Sequence, residues 1–267
     1  MNSQNISHLI RTTFLCIAVY CLSGCIIHVG GSSATANVEL EDMLSLNADG
    51  IDRIIIDAGA GALKVRGDDS IDEITVDATI LTTEQRHYRL SLKRNGKDAK
   101  LVAIPNTKNW GSWRKSPRID LNVVLPSRLA VDIEDSSGDL SVKNIDNRLR
   151  VDDSSGNIII DTVGGATLID DGSGSIKINN VEGDITIDDG SGNIDITATV
   201  GDIFIDDGSG SVDVLDTAGV VTIDDGSGDI YVSNATGLTI IDDGSGKMKI
   251  KNVSGQVIQN DYKDEKL

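Results

Sequence analysis

From Glu134 to Gly246 the chain repeats every 18 residues, seven times, around a core that reads Ile-Asp-Asp-Gly-Ser-Gly-x-Ile-x-Ile. A period this short and regular belongs to solenoids, in which each repeat is one turn of chain and buries its apolar face only against its neighbours. Acidic pairs stand at Glu134/Asp135, Asp152/Asp153, Asp170/Asp171, Asp188/Asp189, Asp206/Asp207, Asp224/Asp225 and Asp242/Asp243, with no insertion breaking their register. Each unit holds two short alternating runs, for instance Ile185-Thr186-Ile187 and Ile194-Asp195-Ile196. Alternation of period two marks strands with one buried face, and the Asp/Gly/Ser cluster between the runs marks a turn.

Reading down the columns supports this. Positions 140, 158, 176, 194, 212, 230 and 248 are Leu, Ile, Ile, Ile, Val, Ile and Met, and positions 142 to 250 at the same interval are Val, Ile or Ile-like throughout. Between them, Ser141, Ile159, Lys177, Asp195, Asp213, Tyr231 and Lys249 form the mixed column expected of an outward face. Like residues stacked in register imply parallel strands, one coil per about 4.8 Å. The fold expected is an all-β, right-handed parallel β-helix (β-solenoid), because parallel crossovers are overwhelmingly right-handed and the hexapeptide period of the left-handed form is absent. Its open ends need covers. Residues 39–130 read as an irregular β-rich N-terminal cap, with strands near 51–57, 62–66, 71–80, 88–94, 99–105 and 119–125 and a hairpin at Asn95-Gly96. Residues 131–258 form the seven-coil solenoid, and the polar tail 259–267 blunts the far end.

The first 25 residues hold one Arg (Arg11), an apolar stretch from Thr13 to Leu22, and Leu22-Ser23-Gly24-Cys25. An apolar run too short to span a bilayer, ending in small residues, is a secretory signal. The sequence Leu22-Ser23-Gly24-Cys25 resembles a bacterial lipobox, which implies a lipoprotein signal peptide over 1–24, acylation of Cys25 and anchoring in the cell envelope. Ile26 after it resembles the outer-membrane sorting class of cells with two membranes. Several acyl chains would anchor durably, since each buried methylene adds about 0.8 kcal/mol. Residues 25–38, with Gly30-Gly31-Ser32-Ser33, then form a flexible tether. Cys16 and Cys21 lie in the signal, so no disulfide framework remains after its removal.

Charge is divided unevenly. Residues 25–130 hold 14 basic and 14 acidic residues, whereas residues 131–267 hold 9 basic and 28 acidic ones. An acidic field of this size repels nucleic acid and attracts cations and basic partners. The irregular β start, the passage VVLPSRLAVDIEDSSGDL around Pro126 and the Ser-Gly-Asp/Asn repeats resemble the bacterial exported β-strand repeat family of unknown function labelled "putative adhesin". The resemblance covers roughly residues 50 to 258; it implies a single-stranded right-handed β-helix on an exported protein and carries over no catalytic residue.

The acidic pairs are the first candidate site. Carboxylates at one level with others about 4.8 Å above repel by roughly 1 kcal/mol per neighbouring pair in water. Calcium would offset this, with Asp152, Asp153, Asp170, Asp171, Asp188, Asp189, Asp206, Asp207, Asp224, Asp225, Asp242 and Asp243 as ligands. The nine-residue half-period resembles the calcium-binding nonapeptides of RTX toxins, although there the acid follows the glycines. The competing reading is structural: one Asp of each pair accepts hydrogen bonds from the Gly-Ser-Gly amides as an Asx turn, the Ser hydroxyls form a ladder and the glycines take positive φ. Diffuse cation condensation is a third possibility. Paired Asp on a β-helix also resembles polygalacturonases, but identical carboxylates on every coil give no separation of acid from base, and the only His residues are His8, His28 and His87.

The second candidate is the segment 106–118, where Trp110, Trp113, Arg114 and Lys115 place aromatics beside cations as a binding loop, or plug the open end of the core. A flat Thr array for ice binding is not formed, since the column of Thr186 and Thr222 also holds Leu168, Phe204 and Ile240. The reading that results is a lipid-anchored, adhesin-like or structural binding module that is not an enzyme, with polysaccharide or an envelope protein as partner. The alternatives are a calcium-binding module and an envelope polysaccharide-processing enzyme.

Overall fold

A computed structural model describes residues 35–106 and 115–259 of the 267. Residues Ser33–Leu267 make up one compact unit. Its described part is all β, and none of it is helical.

Seven strands precede the repeats: β1 (Val38–Asn47), β2 (Arg53–Ala60), β3 (Leu63–Asp68), β4 (Glu73–Thr82), β5 (Tyr88–Asn95), β6 (Asp98–Pro105) and β7 (Arg118–Pro126). The repeats supply two strands per coil. These are β8 (Ala130–Ser137), β9 (Leu140–Ile145), β10 (Leu149–Asp153), β11 (Ile158–Val163), β12 (Thr167–Asp171), β13 (Ile176–Val181), β14 (Ile185–Asp189), β15 (Ile194–Thr199), β16 (Ile203–Asp207), β17 (Val212–Thr217), β18 (Val220–Asp225), β19 (Ile230–Ser233), β20 (Gly237–Asp242), β21 (Met248–Lys251) and β22 (Val257–Gln259). The odd-numbered strands from β9 to β21 stack in one sheet, the even-numbered ones from β8 to β22 in a second, and each sheet has 11 strands. The coils pair in parallel at intervals of 18 residues, as Ile176↔Ile194 and Ile187↔Ile205 show.

The expected β-rich start is present, and the ladder resolves how it is built. Strands β2 and β3 form a coil that pairs in parallel with β8 and β9. Strands β6 and β7 form another on its far side, again parallel. Reversal begins only beyond them, where β5 pairs antiparallel with β6, and β4 with β7 and β1 in turn. Arg53 ties three layers together through Asp98 at 2.7 Å and Asp132 at 2.9 Å. The β5–β6 hairpin closes through Gly96 and Lys97, because Asn95 pairs with Asp98, and Gly96 takes φ +63°. The core is one continuous aliphatic stack from Ile54 to Ile240.

One expectation is corrected. The last coils do not keep a strict 18-residue register: Val221 pairs with Leu238 and Ile223 with Ile240, and a bulge then restores Asp224 to Asp242. Ile240 is therefore buried in the inward column, and Thr239 takes its place outside beside Thr222. One residue lost before the strand and one gained within it leave the spacing of the acidic pairs unchanged, which conceals the shift.

Candidate functional site: two acidic columns on opposite faces of one sheet

Strand alternation separates the two acids of each pair, so that one faces out and its neighbour faces in. The inner column is Asp135, Asp153, Asp171, Asp189, Asp207 and Asp225, paired in register from coil to coil and each at most 4% exposed. From Asp153 onward, Oδ1 accepts the backbone amide two residues later: Ser155 at 3.1 Å, Ser173 at 3.1 Å, Ser191 at 3.0 Å, Ser209 at 3.0 Å and Ser227 at 2.9 Å. This is the Asx turn expected from the sequence. The other oxygen, Oδ2, is buried with no partner at every one of these five positions, and Asp135 lacks partners for both.

Burial without full compensation pushes these carboxyls up. Desolvation is the largest cause for each, with neighbouring carboxyls adding to it and the Ser amides opposing. Asp171 and Asp207 rise to about 6, and Asp135 and Asp189 to about 7. Asp153 and Asp225 are also raised. Every carboxyl of the inner column thus ionises at a higher pH than an ordinary aspartate.

The turn that carries it is fixed by glycine. At the second glycine of each cluster a Cβ would collide with backbone one coil below; at Gly192, which has φ +154°, it would lie 1.5 Å from the Gly174 carbonyl oxygen. Positive φ is taken by this glycine from Gly138 to Gly210, whereas in the last coil it passes to the first glycine, Gly244; at the first glycines Gly172, Gly190, Gly208 and Gly226 close approach to backbone is the constraint, and Ser136 and Ser154 hold that position in the first two coils. Among the described residues the Ser hydroxyls form no ladder; Ser155 Oγ donates at 3.5 Å to the Ser136 carbonyl rather than to a neighbouring hydroxyl. The variable residue after the second glycine is accounted for instead. Asp139, Asn157, Asn193 and Asp229 each accept the amide of the residue 18 further on.

The outer column runs Glu134, Asp152, Asp170, Asp188, Asp206, Asp224 and Asp242 along the outward face of the second sheet. Beside it runs a second outward column of Arg150, Leu168, Thr186, Phe204, Thr222 and Thr239, in which Leu168 and Phe204 are each 40% exposed. Because the two carboxyls of a pair face opposite sides of the sheet, they cannot close on one ion or one scissile bond together. Among the described residues, no three His, Cys, Asp or Glu side chains come together as a metal-holding group.

The opposite turn of each coil holds a column that sequence reasoning missed. Asn144, Thr162, Asn180, Ala198, Asp216, Asn234 and Asn252 all adopt positive φ, between 51° and 64°. Four of the seven are Asn, the residue that tolerates this conformation best after glycine, and that recurrence was the available signal. Thr162, Asn180 and Ala198 of this column line an open groove of about 390 Å3 together with Asp146, Glu182 and Val200.

Cys25, Trp110, Trp113 and Arg114 lie outside the described residues. Lys115 is exposed and forms an isolated parallel bridge with Thr35.

No protein-family model and no curated protein matches the chain. Among solved structures, a "putative cell adhesion protein" from Clostridium sporogenes is similar over 84% of this chain and 100% of its own, at 15% identity and a TM-score of 0.38. A "putative adhesin" from Bacteroides fragilis covers 85% of this chain and 100% of its own, at 11% identity and a TM-score of 0.42. A "putative lipid binding protein" from Parabacteroides distasonis covers 86% and 100%, at 15% identity and a TM-score of 0.35.

Proposed function

We propose that this chain is a lipid-anchored cell-envelope module that binds an extended, positively charged partner along the outward face of its second sheet and catalyses no reaction. The observation that carries the reading is the outer acidic column, one carboxylate per coil over seven coils, paired from strand to strand with a single bulge before Asp224 and Asp242. A charge every ~4.8 Å along a flat ladder matches a linear, repetitive polymer better than a compact metabolite. The neighbouring Leu168 and Phe204 add apolar contact to that charge. A polysaccharide bearing amino groups or a basic segment of an envelope protein has the required chemistry, and nucleic acid, being polyanionic, does not. The lipobox-like Leu22-Ser23-Gly24-Cys25 supports attachment through Cys25.

The test is binding of the unit Ser33–Leu267 to chitosan oligomers and to oligolysine, against neutral and anionic polymers of the same length. Binding confined to the cationic polymers, weakened by salt and lost in the D170N/D188N/D206N variant, is the expected result. Equal binding to anionic polymers, or undiminished binding by the triple variant, would overturn it. Incorporation of labelled palmitate into the full chain, and its loss on Cys25→Ser, tests the anchor separately.

A second reading is that the outer column recruits divalent cations between coils, with calcium favoured by the carboxylate chemistry. It uses Asp170, Asp188 and Asp206 without their inner partners.

A further inference from the structure

We infer that the solenoid assembles head to tail with further copies of this chain, the C-terminal end of one docking on the N-terminal end of the next. The two ends of each sheet carry opposite charges. In the first sheet the C-terminal edge strand β21 bears Lys249 and Lys251, with Lys247 just before it, whereas the N-terminal edge strand β1 bears Glu39, Glu41 and Asp42. The second sheet has the reverse sense. Its N-terminal edge β5 bears Arg89, Lys93 and Arg94, and at its C-terminal end, next to the uncharged edge strand β22, β20 ends in Asp242 with Asp243 following it.

Strand direction agrees with charge. Strand β1 is antiparallel to β4, which is antiparallel to β7, and β7 runs with β3 and β9, so β1 points the same way as β21. A copy translated along the coil axis would present its β1 to β21 as the next parallel strand. Strand β5 opposes β6, so the same translation presents it to β22 as an antiparallel neighbour. Both are regular ladders, and among the described residues β1, β21, β5 and β22 have no further strand beside them. Following the columns from strand to strand, Lys249 falls in line with Met43, which puts Lys247 opposite Glu41.

The apolar layers match as well. Met248, Ile250 and Val253 are only partly buried, and Val257 is 47% exposed. At the other end Leu40, Leu44, Leu46, Leu90 and Leu92 are partly buried and Met43 is exposed. Stacking covers both layers as every internal coil is covered. Edge lysines ordinarily only repel strand addition. In the first sheet each edge carries mainly one sign and the edge it would meet carries the other, and in the second the basic β5 would meet the uncharged β22 beside Asp242 and Asp243, so like ends repel and unlike ends attract. Such a contact is heterologous and continues into an open series.

The experiment is sedimentation velocity with light scattering on the unit Ser33–Leu267 across the micromolar range, at low and high salt. Expected is a mean mass that grows with concentration beyond the dimer and falls with salt. K247E/K249E and, separately, E39K/E41K should each weaken association by at least ~10-fold, and the chain carrying all four should recover it because the signs are exchanged at Lys247 opposite Glu41 and at their neighbours. Circular dichroism melts establish that each variant is folded. A unit that stays monomeric at hundreds of micromolar, a series that stops at the dimer, or a folded four-substitution chain that fails to recover association would each overturn the inference.

Discussion

Replacing Asp189 by Asn alters one group at the centre of the buried column and separates its charge from its shape. Asp189 is 1% exposed, its Oδ1 accepts the Ser191 amide at 3.0 Å, and its Oδ2 has no partner. Burial, then Asp171 and Asp207 above and below, raise it to about 7. The unfolded chain titrates near the ordinary aspartate value of about 3.9. The folded state therefore holds more protons between these values, and stability present at acid pH is withdrawn as pH rises toward 7. At about 1.4 kcal/mol per pH unit, the interval from pH 5 to pH 7 costs the native chain on the order of 2–3 kcal/mol at this position alone. Asn keeps the acceptor for Ser191 and cannot charge. The variant should lose less, so that its melting temperature pulls ahead of the native one by about 5–10 °C between pH 5 and pH 7.5. Melts of the unit Ser33–Leu267 in buffers of constant ionic strength measure that gap. A gap that stays constant or narrows with rising pH would refute the claim that the inner column is desolvated and holds its protons.

The other predictions address the same architecture at different points. Ile194→Asp puts a charge into a fully buried aliphatic column and should abolish the cooperative melt of the unit; an unchanged melt would refute the column assignment. Gly192→Ala places a Cβ 1.5 Å from the Gly174 carbonyl oxygen and should cost ~3 kcal/mol or more by chemical denaturation. Thr162, a β-branched residue at φ 64°, should gain about 1 kcal/mol as Thr162→Asn, the residue its column already uses at Asn144 and Asn180. Millimolar calcium added after EDTA should raise the melting temperature more than magnesium does if the outer carboxylates are specific ligands, since only ligand bound to the folded state stabilises. A small equal rise with both ions would mean screening alone.

The repeats were legible because their physics is local and recurs. A buried column must be aliphatic on every coil, so Ile158, Ile176, Ile194 and Val212 announced it together. The Asp-to-Ser turn was legible for the same reason. What escaped was whatever lacks repetition or has two equivalent spellings. Strand β1, whose Leu40, Leu44 and Leu46 alternate, pairs only with β4 and has no copy to reveal it. The nesting of β2–β3 between β6–β7 and β8–β9 depends on pairings across 45 to 79 residues, which no periodicity records. The positive-φ column is spelled by Asn, Thr, Ala and Asp in turn, because a single strained residue per coil can be tolerated when its neighbours over-determine the backbone. The division of each acidic pair into a buried and an exposed member was implicit in strand alternation. Its consequence, two chemically different columns from one dipeptide, needed the ladder to be seen.

Asn would make the inner turn as well as Asp does, and this chain uses Asn freely in the opposite turn at Asn144, Asn180, Asn234 and Asn252. Yet all six inner positions from Asp135 to Asp225 are Asp, each with a carboxyl raised by burial. A protonated carboxyl leaves no buried charge at the unpartnered Oδ2, whereas an ionised one faces like charge above and below. Since a solenoid is stabilised by nearest-neighbour contacts, this cost falls on every coil interface rather than at one locus. Alkaline conditions should therefore loosen the stack first where fewest interfaces within one chain hold it, at the last described strands β21 and β22, and acid should tighten it there. Hydrogen exchange of the β21 amides measured at pH 5 and pH 8, after correction for intrinsic rates, would show the loosening as lost protection; equal protection at both would mean that the charge of the column does not reach the end of the stack.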